Sequence, residues 1–263
     1  MERNDLIETA HIMADAARRV ILPYFRADSL WADNKQEGGG FDPVTEGDRA
    51  AERVMRDILQ ARRPDDAIHG EEYGHKTGTS GLTWVLDPID GTRGFLSGTP
   101  TWGVLIAVSD VSRPIYGIID QPYIGERFEG GLGTARVVGP LGERALRVRA
   151  PRPLDQAILF TTFPEIGTPR DRAGFEAVSS QVKLTRYGMD CYAYALLAAG
   201  QIDLVVEAGL FAYDIQAPIA VIEAAGGIVT DWNGQPVHQG GQVLAASSPA
   251  LHRAALERLA PFA

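Results

Sequence analysis

Asp87-Pro88-Ile89-Asp90-Gly91-Thr92 follows the apolar run Trp84-Val85-Leu86, and how this stretch is read decides what kind of molecule the chain makes. The apolar run reads as the end of a buried strand. Alternate side chains of an extended strand share a face. Carboxylates at 87 and 90 therefore converge only if the chain turns between them, and Pro88 helps fix that turn. Converging carboxylates repel unless a cation lies between them, and hard oxygen ligands suit Mg²⁺. The N–H groups of Gly91 and Thr92, where a helix would start, suit a phosphate. Metal and phosphate side by side point to phosphoryl chemistry. The competing reading is a capped turn, since Asp and Thr are ordinary helix caps and Asp-Pro and Asp-Gly are ordinary turn pairs.

Working outward, 263 residues with 45% hydrophobic content suffice for one large core or two packed halves. A net charge of −9 without a basic stripe argues against nucleic acid as the main ligand. The single cysteine, Cys191, excludes an internal disulfide and a multi-cysteine zinc site. No long apolar stretch follows Met1, and none approaches a membrane span. The expectation is a cytoplasmic protein with no membrane partner.

Leu6, Ile7, Ala10, Met13, Ala14, Ala17 and Ile21 recur at helical spacing, and Ala51, Val54, Met55, Ile58 and Leu59 mark a second helix with Asp48 at its start. The polar, glycine-rich stretch from Asn34 to Asp42 between them reads as a mobile loop. Strands are expected at 101–109, 114–121 and 126–130, joined as antiparallel hairpins. A seam between Pro140 and Pro153 would divide an N-terminal half, 1–145, from a C-terminal half, 146–263. The second half alternates: strand 157–162, helix 171–180, strand 183–187, helix 191–199, strand 202–207, then a helix within 214–225. Strands at 228–230 and 243–246 and a helix at 249–259 finish the chain. Such runs of strands and helices suggest a layered sandwich. Cys191, Tyr192 and Tyr194 read as helix packing, and His69, His75 and His238 show no metal-like spacing.

Three further acidic features could meet the Asp87/Asp90 turn: Gly70-Glu71-Glu72, Tyr213-Asp214, and Asp42-Pro43-Val44-Thr45-Glu46-Gly47-Asp48. Each alone is an ordinary cap or surface charge. In this order, and with Glu223-Ala224-Ala225-Gly226-Gly227, they make the chain resemble the inositol monophosphatase superfamily of Mg²⁺-dependent, lithium-sensitive phosphomonoesterases, over nearly its whole length. The resemblance implies a five-layered αβαβα sandwich of the inositol monophosphatase / fructose bisphosphatase type, an α/β fold usually assembled as a homodimer. It implies two or three Mg²⁺ per site. Glu71, Asp87, the Ile89 carbonyl and Thr92 would belong to the first, and Asp87, Asp90 and Asp214 to the second, with a weaker third near Glu71. Gly91 and Thr92 would bind phosphate. Asp48 and Thr92 would orient the attacking water, with Glu71 near its proton. Lys35 would match a loop lysine approaching the site, or be an exposed loop charge.

The same resemblance places the substrate pocket beside Gly188 and Glu207, with Asp214 and Arg93 also at the substrate. Gly188-Met189-Asp190-Cys191-Tyr192-Ala193-Tyr194-Ala195 and Asp90-Gly91-Thr92-Arg93-Gly94-Phe95 look like the branch acting on histidinol phosphate. Histidinol carries an ammonium and an imidazole protonated in part near neutral pH. Asp190 and Glu207 would attract such a cation, whereas inositol is neutral. Asp190 could instead cap the helix beginning near Cys191. The leading expectation is a histidinol-phosphatase of histidine biosynthesis acting on this small phosphorylated metabolite. An inositol-1-phosphate phosphatase or broad-specificity relative is the alternative. A protein of this fold serving a transcription complex is the reading from another class.

Overall fold

The computed structural model describes residues 2–28, 32–34 and 43–263. Helix α1 (Glu2–Ile21) and helix α2 (Glu46–Arg62) flank the small antiparallel pair β1 (Ala32–Asn34) and β2 (Pro43–Thr45). Lys35 and the rest of the expected mobile stretch beyond Asn34 lie outside the described residues. Thr45 and Asp48 form a reciprocal capping box at the start of α2, satisfying backbone donors the first turn leaves unpaired.

The chain then lays down β3 (Ala67–Gly70), β4 (Gly74–Lys76), β5 (Thr83–Asp90), helix α3 (Thr92–Ser97), β6 (Gly103–Ser109), β7 (Pro114–Gln121), β8 (Glu126–Gly131), β9 (Thr134–Gly139) and β10 (Gly142–Ala145). Their order in one eight-stranded sheet is β10-β9-β8-β7-β6-β5-β3-β4, antiparallel except between β3 and β5. The remainder comprises β11 (Ile158–Thr161), α4 (Pro169–Ser179), β12 (Leu184–Tyr187), α5 (Asp190–Ala198), β13 (Leu204–Phe211), α6 (Ala212–Ala224), β14 (Ile228–Thr230), β15 (Gly240–Ala246) and α7 (Pro249–Leu259). Its five strands order as β12-β11-β13-β15-β14.

Alternation along the strands builds the layers. On β6, Val104, Ile106 and Val108 pack with α1 and α2, while Leu105 and Ala107 face α5 and α6. On β13, Val205 joins that central core and Leu204 and Val206 pack outward with α4 and α7. Helix pair, eight-stranded sheet, helix pair, five-stranded sheet and helix pair give the five-layered αβαβα sandwich. The central strands of each sheet are covered on both faces, so they read as near-continuous apolar runs rather than as alternation with polar residues.

Two features depart from the sequence reading. The β9–β10 hairpin reaches into the stretch expected to be the seam. All four residues of β10 are exposed, so no apolar face announces the strand. β13 does not stop at Glu207 but continues to Phe211, with a register shift against β15 between Glu207 and Leu210. This irregularity and a register shift on β5 both lie on the wall of one crevice.

Candidate active site

β5 pairs with β6 in step as far as Asp87–Leu105, and again at Asp90–Gly103, with a register shift between. The expected turn is therefore a β-bulge, which re-aims side chains without ending the strand. α6 brings Asp214 from its first turn, so that one carboxylate oxygen each from Asp87, Asp90 and Asp214 lies within 4.8 Å of the others. Two of these groups also cap helices. Asp90 Oδ2 accepts the Cys191 N–H at 2.6 Å and Asp214 Oδ2 accepts the Phe211 N–H at 2.7 Å. Among the described residues, Asp87 Oδ1 is buried with no hydrogen-bond partner.

Electrostatics agree with a site built for a cation. Burial and the charges of Glu71, Asp90 and Asp214 push the Asp87 carboxyl well above its ordinary range. Burial and the charges of Asp190 and Asp214 do the same to Asp90. Asp214 is raised to about 7, chiefly by burial, against the lowering pull of the Phe211 N–H. All three can ionise together only if positive charge enters among them. An all-carboxylate donor set with an unpartnered buried oxygen fits a hard divalent ion.

Glu71 follows β3 and lines the cavity with Ile89, Gly91, Thr92 and the three aspartates. Its N–H donates to the Leu86 carbonyl at 3.1 Å, which fixes it beside β5. Thr92 Oγ1 donates to the Ile89 carbonyl at 3.1 Å. Asp48 is buried behind this wall rather than in it; Oδ2 accepts from the Thr45 N–H at 2.8 Å and the Thr45 hydroxyl at 2.5 Å. Burial raises it to about 6 against those bonds, with the Glu71 charge adding to the rise.

The far end of the cavity, about 370 Å³ in all, carries Asp190, Glu207 and Arg93. Asp190 does not act as the helix cap that was the alternative reading. That place goes to Asp90, while Asp190, at φ 46°, turns its Oδ2 to the Thr101 hydroxyl at 3.1 Å. A Cβ at Gly91 would fall 2.7 Å from its carboxyl carbon, so glycine there lets the two halves of the site touch. Glu207 accepts the Thr162 N–H at 2.9 Å and hydroxyl at 2.6 Å, and the Tyr194 hydroxyl at 3.3 Å. Burial lifts it to about 7, against the lowering pull of Thr162 and with the charge of Asp190 adding to the rise. The Arg93 guanidinium lies 4.8 Å over the Phe163 ring, and Phe211 stacks on Tyr213 at 5.3 Å.

Gly188, expected beside the substrate, is not in the cavity wall; its N–H donates to the Thr162 carbonyl at 3.0 Å. Conversely, Cys191 and Tyr194, read as packing, do line the cavity, as do Thr161, Thr162, Phe163, Glu165 and Phe211. Phe163 and Phe211 stand out only in the fold, each a large aromatic left half-exposed just beyond a strand or at its end. Tyr194 gave no signal, because a tyrosine on an apolar helix reads as core.

A model of the inositol monophosphatase family matches residues 2–261. The chloroplastic bifunctional phosphatase IMPL2 of Arabidopsis thaliana is 40% identical over 258 residues, covering 94% of this chain and 72% of that protein. The histidinol-phosphatase of Streptomyces coelicolor is 32% identical over 257 residues, covering 94% of each. Among solved structures, an inositol monophosphatase from Zymomonas mobilis superposes with a TM-score of 0.86 at 39% identity, covering 99% of both chains. With its acidic motifs gathered at one cavity and the match running through its whole length, the chain belongs to the inositol monophosphatase family of metal-dependent phosphatases.

Proposed function

We propose that this protein hydrolyses L-histidinol phosphate to L-histidinol and phosphate, with Mg²⁺ as its metal. The observation that carries the reading is the pair Asp190 and Glu207, the first half-buried and the second buried, in the same cavity as the three clustered aspartates. The clustered aspartates are accounted for by a metal. Asp190 and Glu207 lie beyond them; the Arg93 charge acts on Asp190, and the ammonium and imidazole of histidinol would bring further positive charge beside the pair. A neutral polyol there would hydrogen-bond to the pair but bring no opposite charge to it.

In this reading Glu71, Asp87, Asp90, Asp214 and the Ile89 carbonyl hold two or three Mg²⁺. Bound there, the ions lend a water of lowered pKa and counter-charge for phosphoryl oxygens. Gly91 and Thr92 receive the phosphate. Thr92 orients the attacking water, with Asp48 behind the cavity wall supporting that side of the site, and the Glu71 carboxylate takes its proton. Arg93 and Phe163 border the substrate end. Phosphoryl transfer of this kind needs positioning and electrostatics more than covalent help from protein.

The test is phosphate release from histidinol phosphate, inositol-1-phosphate and a nucleoside monophosphate, each with Mg²⁺ and with chelator. Histidinol phosphate should show the highest kcat/KM, and chelation should abolish turnover while the fold persists. A clear preference for inositol-1-phosphate would assign the protein to the other branch.

A further inference from the structure

Glu52 has no exposed surface and lies one turn beyond Asp48 on α2. A buried carboxylate is costly unless its lone pairs are used. Here Oε1 accepts from Arg56 Nε at 2.7 Å and from the Tyr73 N–H at 3.2 Å, and Oε2 accepts the Glu72 N–H at 2.7 Å. Arg56 in turn donates to the Gly74 carbonyl. One Glu-Arg pair on α2 thus grips the backbone of the three residues that follow Glu71. The other side of Glu71 is fitted to the same group. A Cβ at Gly70 would fall 2.0 Å from Glu52 Oε1, so the carboxylate occupies the space that glycine leaves, as expected where a strand glycine marks a close approach.

We infer that Glu52 is a positioning residue for the metal centre, holding the backbone on both sides of Glu71 so that the Glu71 carboxylate is aimed into the cavity before any ion arrives. The inference rests on the reading of Glu71 as a metal ligand. Through it, α2 sets two parts of the site at once, with Asp48 in its first turn and the Glu71 segment one turn later. Groups that orient a ligand without touching the ion matter because a loosely held carboxylate must be ordered at the expense of binding.

The experiment titrates metal-free protein with Mn²⁺, following the free ion by electron paramagnetic resonance, alongside kcat measured against Mg²⁺ concentration. The proteins are wild type, Glu71→Gln, Glu52→Gln and Gly70→Ala. Glutamine at 52 offers one acceptor oxygen and turns an amide donor toward groups that are themselves donors. Alanine at 70 pushes the intact carboxylate aside. Each should weaken Mn²⁺ binding by about 10–100-fold, the usual effect of losing an outer-shell partner, and kcat should return toward wild type at saturating Mg²⁺. A purely structural Glu52 would lower the melting temperature and leave the titration unchanged. Wild-type Mn²⁺ affinity in Glu52→Gln or Gly70→Ala, with Glu71→Gln weakened, overturns the inference. Wild-type affinity in Glu71→Gln removes Glu71 from the metal centre, and the role of Glu52 with it. Amide exchange of the unmutated, metal-free protein tests the same point without relying on variants that fold. The Glu72 and Tyr73 amides should be as protected as those of β3, and exchange at the rate of an exposed loop would refute the preset geometry.

Discussion

Asp90 answers to two demands, since its carboxylate belongs to the aspartate cluster and also accepts the Cys191 N–H at the start of α5. Asp90→Asn separates them, keeping an acceptor for the helix and removing the charge. Turnover should fall by at least the roughly 10–100-fold that even outer-shell changes cost in metal affinity. The metal-free variant should melt no lower than wild type at pH 8, because the lost charge is one that burial and neighbouring carboxylates disfavour. A lower melting temperature with unchanged metal affinity would make Asp90 a helix cap and no more. Asp190→Asn is the matching probe of substrate choice. Asparagine tolerates the left-handed conformation and can still accept from Thr101, so the backbone at φ 46° is kept. A hydrogen bond to a charged group is worth about 1.5–3 kcal/mol. kcat/KM for histidinol phosphate should therefore drop on the order of 10–100-fold, with hydrolysis of an aryl phosphate little changed. An equal loss for both substrates would leave Asp190 a structural role only.

α6 rests almost on the backbone of the eight-stranded sheet. A Cβ at Gly117 on β7 would fall 2.5 Å from the Ala217 carbonyl oxygen, and one at Gly130 on β8 would fall 2.5 Å from the Val221 Cα. Gly130→Ala should cost about 1–3 kcal/mol, as overpacking of a filled core does. Because α6 carries Asp214, the variant should also bind metal more weakly, and calorimetric unfolding with and without Mg²⁺ reads both effects. The close approach was written in the sequence as glycines inside apolar strands, yet nothing local distinguishes them from glycines at turns. α1, α6 and the central strands were legible because each repeats an apolar period over several turns or residues. β10 was not, since Gly142-Glu143-Arg144-Ala145 owes its place to pairing with β9 alone. The ties holding α1 to the sheet were equally hidden. Glu129 on β8 is fully buried and accepts from the Tyr116 hydroxyl at 2.5 Å and Arg136 Nε at 2.6 Å, with His11 of α1 at 3.2 Å. Burial alone would raise Glu129, but these partners outweigh it and hold it near 2. Its folded pKa is depressed, so its stabilising contribution is present above pH 4.5 and is lost as pH falls toward 2. Glu129→Gln should flatten the acid limb of the stability curve in that window, followed by circular dichroism; an unchanged acid limb would remove the network from acid unfolding.

The two cores on either side of the eight-stranded sheet were readable as apolar runs, and the three aspartates could be listed from their motifs, but convergence needed three dimensions. Asp48, Glu71, Asp87, Asp90, Asp190, Glu207 and Asp214 come from six segments of the chain and end in or against one crevice. Placing so many carboxylates together puts a sign on the pH dependence of the whole fold. Asp48 is raised to about 6, Asp214 and Glu207 to about 7, and Asp87 and Asp90 are pushed in the same direction, each led by burial. An acid whose folded pKa lies above its unfolded value binds protons more tightly when native. Its contribution is therefore complete below about pH 4 and is lost as pH rises through its folded pKa. His69 and His252, lowered chiefly by burial, act oppositely just below pH 6.5. His252 is on α7, outside the proposed metal site, so its titration should cancel in the difference between metal-bound and metal-free stability. His69, two residues before Glu71 and packed on Tyr213 at 6.0 Å, opposes the acids and stays in that difference. On the proposed reading, Mg²⁺ would stabilise the fold by mass action and bind the deprotonated carboxylates in competition with protons. The rise in melting temperature on adding a fixed excess of Mg²⁺ should therefore be small at pH 5 and grow steadily to pH 8, while the metal-free protein itself loses stability over that range. Calorimetry at four or five pH values decides it. A Mg²⁺ increment independent of pH would mean that the clustered aspartates are already ionised without metal, held so by some other positive charge.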